Sequence, residues 1–188
     1  EKLPEAWNLL MRKSQLERAR GELEVAQRAI DAACRISPGA PDAWFERGML
    51  AELRARPDAA AKDYERALQL DPGHGGSHLQ LGAIRGRRGD NVSALRHFAA
   101  AVQALPNAPA AHQNFATANF AADRLDIAER HYRLALGLDP GYFNARFNLG
   151  RVLLATGRKR EARRELAAAA KLRPDLQIVR DLLRQLDR

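Results

Sequence analysis

Few side chains in this chain have types and spacing suited to chemistry. His74 and His78 lie four apart, the separation at which two imidazoles on one helical face can hold a metal ion. The run "GHGGSH" puts Gly75-Gly76 between them at a unit boundary, where a helix would break, and this argues against a metal site. His97 and His131 each precede a large aromatic residue, Phe98 and Tyr132, and His112 precedes an amide pair, Gln113-Asn114. Cys34 is the only cysteine, which excludes an internal disulfide and any cysteine-based zinc site. Its neighbours Ala29, Ile30 and Ala33 suit a small buried hydrophobe. No nucleophile–base constellation is present, and the glycines of "GAIRGRRGD" fall on a helix end and a turn rather than in a phosphate-cradling loop. The expectation is therefore no catalytic residue, no metal and no cofactor. What remains is amide chemistry. Asn148, in "ARFNLGRVLL", interrupts an apolar helical pattern at up to ~0.7 kcal/mol relative to Ala.

The elements that place these residues repeat. Pro4, Pro38, Pro72, Pro106, Pro140 and Pro174 recur every 34 positions. In the same register run Ala26, Ala60, Ala94, Ala128 and Ala162, and also Ala33, Ala67, Ala101, Ala135 and Ala169. Between the two alanine ladders lies a large apolar series, Ile30, Tyr64, Phe98, Tyr132 and Leu166. Each unit reads as an apolar-periodic helix, a turn, a second helix and a stop. The turns carry Gly21, Gly89 and Gly157, with Pro57 and Asp123 as the breakers in the other two units. The stops are the prolines, which push the preceding residue out of the helical region. One helix pair cannot bury both faces, so neighbours must stack.

Trp44, Gly48, Ala60, Tyr64, Ala67 and Pro72, together with Leu81-Gly82 and Leu149-Gly150, resemble the tetratricopeptide repeat pattern. The resemblance implies an all-α, right-handed superhelix of five helix-turn-helix repeats at 7–40, 41–74, 75–108, 109–142 and 143–176. The first repeat departs most, with Leu10 in the usual place of Trp and Ser14 in that of Gly. Residues 177–188 read as a capping helix: Ile178, Val179, Leu182, Leu183 and Leu186 form one stripe, and Arg180, Asp181, Arg184, Gln185 and Asp187 face away. Residues 1–6 are either the tail of an earlier repeat or a helix start at Pro4. In the first case the front face would be apolar and self-association through it is expected.

By the same resemblance, first helices line a concave groove. Its fifth place reads Met11, Phe45, Leu79, Gln113 and Phe147, and its sixth reads Arg12, Glu46, Gln80, Asn114 and Asn148; Met49, Phe120 and Arg151 join them. An amide donates and accepts at once, which suits a peptide backbone. Two readings of Asn114 and Asn148 stand at this point: recognition of a partner, or hydrogen bonding between adjacent helices. The pair resembles the asparagine ladder of the O-linked N-acetylglucosamine transferase repeats, though Arg12, Glu46 and Gln80 depart from it. The carboxylate clamp of chaperone adaptors is not matched, because Met11 and Gln15 occupy the clamp's places.

These features imply a non-catalytic module that binds a protein or peptide, with no small-molecule substrate. The alternative is a substrate-presenting or oligomerising region of a larger enzyme such as a sulfotransferase, glycosyltransferase or hydroxylase. A start without Met suits an excised piece of a longer chain. The net charge of +8 concentrates in the fifth unit, around "GRKREARRE". That run lies on a turn and a second helix, away from the groove, and no aromatic interleaves it, so a nucleic-acid partner is disfavoured. No apolar run reaches membrane-span length. The compartment stays open, with the cytoplasm favoured over the periplasm.

Overall fold

The computed structural model describes residues 6–186, in which eleven α-helices and no strand are found. The expected tail at 1–6 and the end of the capping helix therefore lie largely outside the described residues. The chain divides into two compact units, Glu1–Gly89 and Asp90–Arg188. The first holds α1 (Ala6–Ala19), α2 (Leu23–Ile36), α3 (Pro41–Leu53), α4 (Pro57–Leu70) and α5 (Gly75–Arg87). The second holds α6 (Asn91–Ala104), α7 (Pro109–Ala121), α8 (Leu125–Leu138), α9 (Phe143–Ala155), α10 (Lys159–Leu172) and α11 (Gln177–Leu186). No helix among the described residues is long and apolar enough to cross a membrane.

Packing follows the ladders. Both alanine series and the large series between them are buried throughout. The small residue opposite each large one sets how closely two helices approach. A Cβ added at Gly48 would lie 2.5 Å from the Tyr64 ring, and one at Gly150 would lie 2.7 Å from Leu166 Cγ. In the first repeat Ser14 takes this place, fully buried, and its hydroxyl finds no hydrogen-bond partner among the described residues. Cys34 is buried as expected, and burial pushes its thiol up to about 11.

Helix ends obey two regular devices. The residue before each stop proline leaves the helical region, with φ of −131° at Ser37, −134° at Asp71, −128° at Leu105, −139° at Asp139 and −136° at Arg173. The following first helix then reaches back to the proline's carbonyl. Trp44 Nε1 donates to Pro38 at 2.9 Å, His78 Nε2 to Pro72 at 2.9 Å, His112 Nε2 to Pro106 at 2.8 Å, and an Arg146 amine to Pro140 at 2.7 Å. Chemically different donors thus satisfy the same orphaned acceptor from unit to unit.

The turns within repeats correct one expectation. The left-handed residue is Gly21, Gly89 and Gly157 in three of them and Asp123 in a fourth, but in the remaining turn it is Ala55 at φ 55°. Pro57 opens α4 at its first position, as its missing N–H suits, so the left-handed place in that turn falls to Ala55. The capping helix holds a second correction. Val179 is buried and Leu182, Leu183 and Leu186 pack on Leu166 and Ala169, whereas Ile178 is 58% exposed. It lies at the edge of the stripe, outside the cluster that the others join.

Candidate partner-binding site

The expected groove residues divide by unit, and the first unit withholds several of them. Glu46 is only 2% exposed and accepts from Arg18 at 2.8 and 3.3 Å, so it is a buried counter-ion, not a member of an open polar row. A carboxylate taken from water needs such a partner, and Arg18 on the preceding first helix supplies it. Phe45 packs at 5.0 Å from the His74 ring and 5.6 Å from Tyr64, filling the space that Gly76 leaves. Met11 is half-buried against the core around Ile30. Met49 sulfur accepts from Gln80 Nε2 at 3.3 Å, and Leu79 is half-buried. Arg12 alone of this group is exposed.

His74 and His78 also have structural tasks. His74 caps α5: its Nδ1 accepts from the Ser77 N–H at 3.1 Å, while Nε2 meets Asp42 at 3.1 Å. His78 turns to Pro72 instead. Among the described residues no group of three or more metal-ligating side chains converges.

The second unit is more open. On α7, Asn114 is half-buried and its side chain has no hydrogen-bond partner among the described residues. Gln113 Nε2 donates to Thr117 Oγ1 at 2.9 Å, and that hydroxyl donates to the Gln113 carbonyl at 2.9 Å. Thr117 has one proton, so the Tyr132 hydroxyl, 3.0 Å away, is the donor in their contact. Burial holds the Tyr132 phenol above its ordinary value, against the opposing effect of the nearby Arg151 charge.

On α9, Arg151 collects the remaining candidates into one cluster. Its guanidinium lies 5.0 Å from the Phe120 ring and 5.9 Å from the Phe147 ring, and one amine donates to Asn148 Oδ1 at 3.2 Å. Phe147 in turn stacks on Phe143 with centroids 5.9 Å apart and planes within 6°. The repeat register put Phe120, Phe147, Asn148 and Arg151 on one face without any sign that they touch. Thr117 and Phe143 were not picked out, and Tyr132 was read only as a member of the buried ladder. The four-residue step from Gln113 to Thr117 was the available signal for the first of them.

A second feature had no sequence signal. His112 and His131 face each other with Nδ1 atoms 3.0 Å apart, and Phe115 meets His131 edge-on at 4.7 Å. Because His112 donates through Nε2, its Nδ1 is the acceptor of the neutral pair and His131 the donor. Burial first, then His112 and Arg130, pushes His131 below the ordinary histidine value.

Known proteins share this architecture. Family models described as tetratricopeptide repeat match residues 4–75 and 119–186. Among solved structures, YrrB, described as a TPR protein with an unusual peptide-binding site, superposes with a TM-score of 0.74 at 21% identity, covering 96% of this chain and 97% of its own. The pilF structure of Pseudomonas aeruginosa gives a TM-score of 0.86 at 16% identity over 99% of this chain and 90% of that one. PilW, described as a widely conserved type IV pilus biogenesis factor, gives 0.80 at 17% identity over 96% and 88%. At these identities the likeness establishes the fold. No curated protein matches the chain by sequence.

Proposed function

The chain belongs to the tetratricopeptide repeat family, and from that premise we propose that it docks an extended peptide or partner surface along its first helices, chiefly on α7 and α9 of the second unit. As a protein-interaction module it needs side chains that the fold leaves unsatisfied. The observation that carries the reading is the state of the two asparagines. Among the described residues the Asn114 side chain has no hydrogen-bond partner, and the Asn148 side chain uses only its Oδ1, leaving both of its N–H donors available. A half-buried amide with free donors beside half-buried Phe120 and Phe147 offers a backbone contact next to an apolar contact. The peptide-binding site ascribed to YrrB, which shares this fold, supports the same reading.

Each hydrogen bond contributes roughly 0.5–1.5 kcal/mol net, so removing two should weaken binding by about 5- to 150-fold. The test is retention on an array of immobilised extended peptides. Asn114→Ala combined with Asn148→Ala should lose most of the retained set while melting at nearly the wild-type temperature. Equal retention by the variant, or a large loss of melting temperature with unchanged affinity, would assign the asparagines to packing instead.

A further inference from the structure

The charge pattern of the same surface narrows what its partner must carry, an inference that rests on the groove reading above. Helix α7 has no acidic or basic residue apart from the buried His112, and α9 has Arg146 and Arg151. Arg146 is committed within the fold, to Glu165 Oε2 at 2.9 Å and the Pro140 carbonyl at 2.7 Å. Arg151 differs. It is exposed, it forms no ion pair among the described residues, and its hydrogen bond there is the one to Asn148.

The setting of Arg151 is that of a prepared cation. The guanidinium lies over the faces of two phenyl rings, which attract its charge without accepting its N–H groups in conventional hydrogen bonds. One of five donors is used, and the Asn148 contact together with the rings limits the orientations the fork can take. A planar fork fits a carboxylate bidentately. The apolar rings beside it reduce the screening that weakens exposed ion pairs.

We propose that the second unit reads an acidic side chain: an Asp or Glu within a peptide segment, its carboxylate on Arg151 and an adjacent apolar residue against Phe120 and Phe147. The occupant is an internal residue because the amide row continues beyond the cation. Asn114 lies six residues from Phe120 along α7, about 9 Å at helical rise, and offers its donors to main chain running past the acidic residue.

The probe is an array of immobilised peptides in matched pairs, Glu against Gln next to an apolar residue, each with a free and an amidated C-terminus, at physiological salt. The wild-type protein should favour the Glu members by roughly tenfold whichever terminus they carry. Arg151→Gln should bind both members of a pair alike while still retaining some peptides. Arg151→Lys, which keeps the charge without the fork, should recover only part of the preference. Retention of peptides by the wild type with no Glu preference would overturn this inference and leave the groove reading standing. Preference confined to free C-termini, or kept in full by Arg151→Gln, would also overturn it. Retention of no peptide at all would remove both readings.

Discussion

Replacing Ala55 by glycine should make the protein more stable, although it removes a methyl group. Ala55 holds φ 55°, at the turn position occupied by Gly21, Gly89 and Gly157 elsewhere in the chain. The left-handed conformation costs an L-residue roughly 1–2 kcal/mol. Glycine avoids that strain but loses more freedom on folding, about 0.4–1 kcal/mol relative to alanine. Packing does not alter the balance, because a Cβ built at Gly21, Gly89 or Gly157 has no neighbour within 4 Å. The difference is a net gain of about 0.5–1 kcal/mol. With a urea dependence of about 1–3 kcal/mol per molar, the midpoint should rise by a few tenths molar. Gly157→Ala should do the reverse, by a similar amount. Urea unfolding followed by circular dichroism measures both. A lower midpoint for Ala55→Gly, or no loss for Gly157→Ala, would refute the claim that backbone strain dominates these turns.

Two further outcomes follow from buried polar groups. Ser14→Ala should raise stability by about 1 kcal/mol, since it removes a fully buried hydroxyl without a partner and leaves the Cβ in place; a fall in melting temperature would show that the hydroxyl is satisfied in solution. Acidification should destabilise the second unit through His131. Its folded value lies below the unfolded one, so the unfolded chain takes up the proton first. The stability is therefore present above about pH 6.5 and is lost as pH falls through the lower folded value. Midpoints compared between about pH 7.5 and pH 5.5 should drop in the wild type and drop less in His131→Gln; equal drops would place the titration elsewhere.

The repeat itself was legible because its signals are local. Proline forces the residue before it out of the helix wherever it stands, and alanine beside a large apolar residue at a fixed spacing specifies close helix packing. Glu46 was misread because its place in the repeat says which way it points, not whether Arg18 has closed over it. Ala55 was overlooked for a related reason: composition marks a turn by glycine or proline, whereas the turn between α3 and α4 holds an alanine at the same φ.

Helix against strand, the period, the helix stops and the ladder of core residues are all written in the order of the amino acids, because each depends on propensity and spacing along one segment. Which polar side chains stay available is settled by packing in three dimensions. Arg146 and Arg151 lie about one and a half turns apart on α9, yet Glu165 neutralises the first and two phenyl rings frame the second. That choice depends on which helix packs against each face, and such pairings join residues distant in the chain.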